Sequence, residues 1–485
     1  MAKKTSSHVP AATASTASAS GRRLLPWLVA VAFFMESLDT TILNTAVPVV
    51  SAALNVTVLS MKAVLASYTL SLAVFIPISG WMADRFGTRR VFAAAIGLFT
   101  LASALCGISG NIHLMVACRV VQGCGGAMMV PVGRLTLVRT FAKSELVGAM
   151  SFVAIPALVG PMLGPIAGGL IVGYLHWRFI FFVNIPIGIV GLVMVYLHLP
   201  NYREAKTHPL DIVGLILFGS GIALLSYVLE IFGEHELSNR EITSLLGISL
   251  ALIAGYGVHS TRTEFPLLRM ALFQIRTFRT ACVGSFFTRL GLGGVPFLLP
   301  LLYQVGLGYT PVQSGLLIMP QAIAAMSTKI FTTRVLTRLG YRGLLVSNTV
   351  ILGVLLLLFA TIHVGTPVWT IVLLAFCYGA FTSLQYTCMN TLVYSDITEP
   401  QTSNASSIAS TVQQMSISFG VATAGLAAAL LVPPSLHSDP PAMLHGIHVT
   451  FILLGGFTIL STMVFSKLKP GDGQNVSQHR VLHTG

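Results

Sequence analysis

Runs of about 20 predominantly apolar residues, the length an α-helix needs to span the hydrocarbon core of a bilayer, recur along nearly the whole of this 485-residue chain. A soluble domain cannot bury so many of them, whereas lipid solvates their outer faces. Only 9% of the residues are Asp, Glu, Lys or Arg, against roughly a quarter in an ordinary soluble domain. The chain therefore reads as an all-α integral membrane protein. Fourteen transmembrane helices are expected, over residues 24–50, 61–82, 91–109, 112–133, 146–173, 177–199, 209–232, 241–260, 279–303, 311–333, 342–362, 367–395, 404–431 and 447–466.

Basic residues outnumber acidic ones by 28 to 15, a balance that in a soluble protein would suggest a nucleic-acid partner. Their placement points to lipid instead. Arg22 and Arg23, Arg85 to Arg90, Arg134 to Lys143, Arg203 to Lys206, Arg262 to Arg279, Arg334 to Arg342 and Lys467 to Lys469 fall in alternate connections, while the other connections hold only Lys62, Arg178 and Arg240. This is the positive-inside asymmetry. It places a multi-pass protein in the cytoplasmic (inner) membrane with both termini in the cytoplasm, and it excludes nucleic acid as a partner. The six cysteines (Cys106, Cys118, Cys124, Cys282, Cys377 and Cys388) lack metal-ligand spacing and are expected as free packing thiols.

The spans group as six, two and six. The expected organisation is a disordered cytoplasmic tail over 1–23, a six-helix bundle over 24–200, an inserted two-helix linker over 201–278, a second six-helix bundle over 279–466, and a cytoplasmic tail over 467–485. An internal echo supports pseudo-symmetric halves: Arg85-Phe86-Gly87-Thr88-Arg89 follows the second helix, and Arg338-Leu339-Gly340-Tyr341-Arg342 follows the tenth. Two repeats rocking about a central cavity is a common transporter plan.

Charges inside the spans are the informative exceptions. Glu36 and Asp39 lie three residues apart near the middle of the first helix, so both carboxylates share one face. An ionised carboxylate at that depth costs roughly 2.5–3.5 kcal/mol on insertion scales, so such an acid faces a wet cavity or a partner. A pair of this kind is suited to taking up and releasing protons, or to locking helices together through ion pairs. Arg119 in the fourth helix and Arg289 in the ninth are the available counter-charges, and Lys329 is either deep or snorkels to the cytoplasmic face. A substrate cavity is expected near Phe34, Asn44, Gln122 and Met128, together with Phe33, Met35 and Met129, because Met and aromatic side chains repack around varied ligands.

Several motifs together resemble the major facilitator superfamily, specifically its fourteen-helix drug/proton antiporter branch, over nearly the whole length from Leu24 to Lys469. Leu38-Asp39-Thr40-Thr41-Ile42-Leu43-Asn44-Thr45-Ala46-Val47-Pro48 is similar to the branch's first-helix signature. Gly80-Trp81-Met82-Ala83-Asp84-Arg85-Phe86-Gly87-Thr88-Arg89-Arg90 resembles the superfamily's loop motif, with Thr88 where a base is expected. Arg119-Val120-Val121-Gln122-Gly123 with Gly125 resembles the fourth-helix motif, and Gly160, Gly164-Pro165 and Gly168-Gly169 resemble the antiporter motif of the fifth. Trp177-Arg178-Phe179-Ile180-Phe181 and Asn184-Ile185-Pro186-Ile187-Gly188 complete the pattern, which is nearest the MdtD-like subgroup.

The resemblance implies a proton-coupled antiporter that exports drugs or other amphipathic solutes by alternating access, with Asp39 and Arg119 coupling protons. Gly80, Asp84, Arg85, Gly87, Arg89 and Arg90 would form a conformational latch. It implies no cofactor beyond the proton-motive force, and small solutes, protons and the bilayer as partners. A periplasmic adaptor and outer-membrane channel are compatible partners that no residue requires. Glu36 and Arg289 belong to no general signature of the family and are candidates for contacting substrate. The alternative is proton-driven export of a specific metabolite, such as a metal chelate or organic anion, held by Arg119 and Arg289. A sensor that transports nothing would call for a sizeable soluble domain. An enzyme is least supported, since no nucleotide loop, intrahelical His pair or Ser/His/Asp set is present.

Overall fold

The computed structural model describes residues 19–141, 143–204, 207–231, 238–398, 401–432 and 440–474. The expected N-terminal tail up to residue 18, Lys206, and the final residues 475–485 lie outside them.

The chain forms helices α1 (Ala19–Ala53), α2 (Met61–Phe86), α3 (Thr88–Ile108), α4 (Ile112–Thr140), α5 (Lys143–Tyr174), α6 (Phe179–Phe182), α7 (Asn184–His198), α8 (Ile212–Ile231) and α9 (Asn239–Arg262). A 3-10 turn at Met270–Gln274 leads into α10 (Arg276–Gly293), α11 (Val295–Leu301), a π turn at Leu302–Gly306, α12 (Pro311–Phe359), α13 (Val368–Leu392), α14 (Thr402–Leu431) and α15 (Pro440–Phe465). Among the described residues, twelve helices are long and apolar enough to cross a membrane. One of these, the 49-residue α12, is two rods, because Gly340 inside it has φ 66° and ψ 171°. The 32-residue α5, interrupted by Pro156, Pro161 and Pro165, is a further span. Counted with α12 as two and α5 as one, the described residues hold the expected fourteen spans.

Where the boundaries differ, the reasons are local. Helix α4 runs on to Thr140 rather than ending near residue 133, because Arg134 and Arg139 extend a helical turn past the apolar run into water. The sixth span is broken into α6 and α7 at Val183. The ninth is broken at Gly294, followed by Pro296, whose ring permits no donor to the preceding turn. Between the tenth and eleventh spans no loop exists: the left-handed φ of Gly340, which a residue with a Cβ rarely adopts, turns the chain in a single step.

Helices α1, α3, α4, α5 and α7 pack on one another, as do α10, α12, α13, α14 and α15, while α8 pairs with α9 and leans on α2 and α14. The two groups meet where α2 lies along α14, α5 along α12, and α1 against α11. Large apolar side chains are left exposed on the outside, among them Val190 and Val193 on α7, Ile212 and Ile216 on α8, and Trp369 and Leu373 on α13. In water these would be apolar patches without a partner, and here they face the lipid. All six cysteines are free; Cys124 and Cys377 are partly exposed and the other four buried.

Candidate functional site

Asp39, only 1% exposed, sits inside the first group of helices rather than on an open wall. Arg119 Nη1 of α4 donates to Asp39 Oδ2 at 2.6 Å. Gln122 Nε2, one turn further along α4, donates to Oδ1 at 2.9 Å, and Asn184 Nδ2 of α7 donates to the same oxygen at 3.0 Å. Ser103 Oγ of α3 accepts from both amides, at 3.3 Å from Gln122 and 2.9 Å from Asn184. Gln122 Oε1 closes the ring by accepting from Arg119 Nη1 at 2.8 Å, and the Arg119 guanidinium lies 4.4 Å from the centre of the Tyr68 ring on α2. Five helices thus meet in one network around this carboxylate. Removing one partner from such a buried pair leaves an uncompensated charge, a cost of about 3–5 kcal/mol.

The same helix carries the other expected acid to different surroundings. Glu36 is half-buried, and among the described residues its carboxylate receives no hydrogen bond; only its backbone carbonyl accepts, from Thr40 Oγ1 at 2.8 Å.

On its opposite side α1 presses against the small residues of α5. A Cβ placed on Gly160 would collide with Ser37 Oγ, one on Gly164 with Thr41 Oγ1, and one on Gly168 with the Ile42 carbonyl oxygen. Helix α5 in turn meets the start of α12: Gly169 lies against the Pro311 carbonyl and Gly315 against that of Pro165. Nearby, Gln304 Nε2 donates to the Thr45 carbonyl at 2.8 Å, and Ser418 Oγ donates to the Ala66 carbonyl at 3.0 Å. These contacts between the two groups all lie in the half of the molecule away from the basic connections.

Beneath that seal is a cavity of about 370 Å³ between the groups. Its wall includes Thr41, Asn44, Pro165, Leu299, Gln321 and Met326, and reaches Lys329, Tyr386 and Asn390 on the side of the basic connections. Of the residues expected to line it, only Asn44 does so. Gln122 is in the Asp39 network, and Met128 is in the core with Phe33, Met35 and Met129. Phe34 packs partly buried against the other core cluster. Arg289, 2% exposed, stands one side chain behind the wall, its Nη2 donating to Asn390 Oδ1 at 3.0 Å. Tyr386 and Asn390 of the wall, with Ser103 and Asn184 of the network, were not singled out from the sequence as site residues; the available signal was a polar residue alone within an apolar run.

At the basic end, Asp84 pairs with Arg139 at the end of α4 at 2.8 Å, and Arg139 also reaches Glu204 at 2.9 Å. Gly87 turns with φ 94°, and a Cβ there would strike Asn201, whose Oδ1 accepts from Arg89 N at 3.2 Å. Thr88 N donates to the Tyr202 carbonyl at 2.9 Å, and Glu204 N to the Asp84 carbonyl at 3.1 Å. Residues 200–204 therefore strap the loop after α2. Arg85 and Arg90 point to solvent, and Gly80 has open space beside it.

Two groups of membrane-spanning helices enclosing a cavity sealed at one end, with an ion pair held in the first group, define a multi-pass membrane transporter. The sequence profile of the Major Facilitator Superfamily matches residues 29–421, and the chain belongs to that family. It is similar to "Putative multidrug resistance protein MdtD" of Serratia proteamaculans (strain 568), at 39% identity over 446 residues covering 92% of this chain and 93% of the relative. It is 37% identical to the protein of the same name from Escherichia coli O157:H7 over 454 residues, covering 94% and 96%. Solved structures share the fold at low identity. The POT family transporter PepTSo aligns with TM-score 0.68 at 15% identity, covering 92% of this chain and 97% of that one. A D-xylose-proton symporter aligns with TM-score 0.66 at 14% identity, covering 93% and 98%.

Proposed function

We propose that this transporter is a proton-coupled antiporter that exports drugs or other amphipathic organic solutes across the cytoplasmic membrane. On the positive-inside reading both termini are cytoplasmic, the cavity is open toward the cytoplasm, and the seal lies on the outer side. The single observation that carries the coupling is the Asp39–Arg119 pair, placed on a helix whose other face bears on α5 and hence on the seal.

In this conformation an ionised Asp39 receives three donors and holds α1 to α4 and α7. Protonation from outside, once the molecule has turned outward, removes the charge that holds Arg119. Helix α1 is then free to reseat against the glycines of α5, and α5 against α12, so that proton occupancy and the side of opening change together. A ligand or proton can move such an equilibrium only by its differential affinity for the two states. The names of the relatives support drugs as cargo, and the first six spans would rock against the last six with α8 and α9 between them.

The test is transport by the purified protein in liposomes under an imposed pH gradient, with and without Asp39→Asn, against cationic, neutral and anionic solutes. Exchange of protons for solute by the wild type and its loss in the variant is the expected result. An asparagine variant that exchanges at the normal rate overturns the coupling assignment.

A further inference from the structure

Among the described residues, the cavity wall contains one charged side chain, Lys329, and no carboxylate. Behind the wall, Arg289 has only neutral company: Ser285 Oγ accepts from its Nε at 2.9 Å, Asn390 Oδ1 accepts from Nη2, and the Tyr386 ring centre lies 3.9 Å from its Cζ. Among the described residues neither cation has an acidic side chain within ion-pair distance. Asn390 and Tyr386 belong to the wall themselves, so the guanidinium is one side chain from the cavity.

The two cations also stand at similar depth. Arg289 is thirteen residues into α10 from Arg276, and Lys329 is eleven residues before Gly340, which at 1.5 Å per residue puts both about 15–20 Å in from the basic end. Arg289 is buried, and a buried charge without a partner is costly to maintain, whereas Lys329 is exposed; the acids of the first group neutralise neither. Asp39 is committed to Arg119, and Glu36 is not part of the wall. Arg119, expected from the sequence as a contact for an anion, is neutralised by Asp39, and Lys329 stands in its place.

We propose that this cavity takes organic anions with an apolar body, and that Lys329 and Arg289 determine that specificity. The carboxylate or sulfonate group pairs with Lys329 and draws on Arg289 through Asn390, while the body lies against Pro165, Leu299, Ile318 and Met326. A cationic amphipath of the same shape meets two uncompensated like charges, which oppose binding. This deepens the transporter reading above and rests on it.

The test compares 2-naphthalenesulfonate with (2-naphthylmethyl)trimethylammonium, probes of one apolar body and opposite charge, by calorimetric titration of the protein in lipid nanodiscs. The sulfonate should bind at least about tenfold more tightly, as expected for one charge-assisted contact. Lys329→Gln should abolish the preference and Lys329→Arg retain it, with both variants unfolding at the wild-type temperature. Arg289→Gln should weaken sulfonate binding, and Arg289→Lys should restore part of it. A wild type that binds the ammonium probe as tightly, or binds neither probe, or a Lys329→Gln variant that keeps the preference, overturns the proposal. Flux in liposomes separates the two readings. If the sulfonate binds selectively but a pH gradient drives none of it, antiport falls and the anion site stands. If the gradient drives the ammonium probe equally through wild type and Lys329→Gln, the anion site falls and antiport stands.

Discussion

Asn184 Nδ2 lies 3.0 Å from Asp39 Oδ1, joining the start of α7 to the middle of α1 across 145 residues of sequence. This amide is placed at the carboxylate as firmly as Gln122 is, and with Ser103 it forms the wall of the network opposite Arg119.

Asn184→Ala should therefore cost stability and transport together. Loss of a hydrogen bond to a charged group is worth about 1.5–3 kcal/mol. The thermal unfolding midpoint in detergent should fall, and proton-coupled flux with it. Asn184→Asp should be worse, since it sets a second carboxylate beside the first. An alanine variant with wild-type midpoint and flux would mean that the network does not depend on α7.

The contact of α1 with α5 predicts a steep response to small volumes. Gly168→Val drives a branched side chain into the Ile42 carbonyl, and overpacking of this kind costs about 1–3 kcal/mol. Transport should drop at least about tenfold at equal expression, that fold-change corresponding to about 1.4 kcal/mol. Gly97→Ala is the control, because nothing lies within 4 Å of a Cβ there. Equal activity of the two variants would remove the close approach from the mechanism.

The pair between Asp84 and Arg139 is partly exposed, at 34% and 23%, so solvent screens it and its worth to stability is about 0–1 kcal/mol. Arg139→Gln should scarcely move the unfolding midpoint while slowing transport, as expected if the contact selects a conformation. A variant that unfolds several degrees lower with unchanged flux would make the pair structural only.

Asp211, just before α8, predicts a pH dependence. Burial pushes its carboxyl upward, but hydrogen bonds from His259 and from the amides of Gly214 and Leu267 more than offset this and hold it below the usual range. A carboxyl lowered on folding contributes stability above its unfolded value of about 4 and loses it as pH falls through the folded value. Protection against hydrogen exchange at residues 211–215 and 263–268, taken relative to the intrinsic rate at each pH, should fall on acidification below about pH 4, and Asp211→Ala should show the low protection already at neutral pH. Protection that is flat with pH in the wild type would refute the assignment.

What the sequence made legible follows from how concentrated each signal is. Spans were readable because some twenty residues vote together, and the Asp39–Arg119 pair because each is a charge set within an apolar run. Ser103 and Asn184 carry no such signal: single polar residues in spans are common, and only the fold brings these two to the carboxylate. The wall of the observed cavity differs from the expected residues for a related reason. Phe34 and Met128 have the adaptable side chains a drug site favours, but the core uses the same chemistry, and the wall draws instead on dispersed residues such as Gln321, Lys329 and Asn390. The loop expected between the tenth and eleventh spans does not exist, because Gly340 alone makes the reversal.

That single-residue reversal leaves no slack. The rod before Gly340 closes on α5 at the far end, and the rod after it packs with α15. Tilting the first rod must carry the second with it, as two arms of one stiff bracket. Inserting a few flexible residues at this corner would uncouple the arms while leaving every seal contact in place.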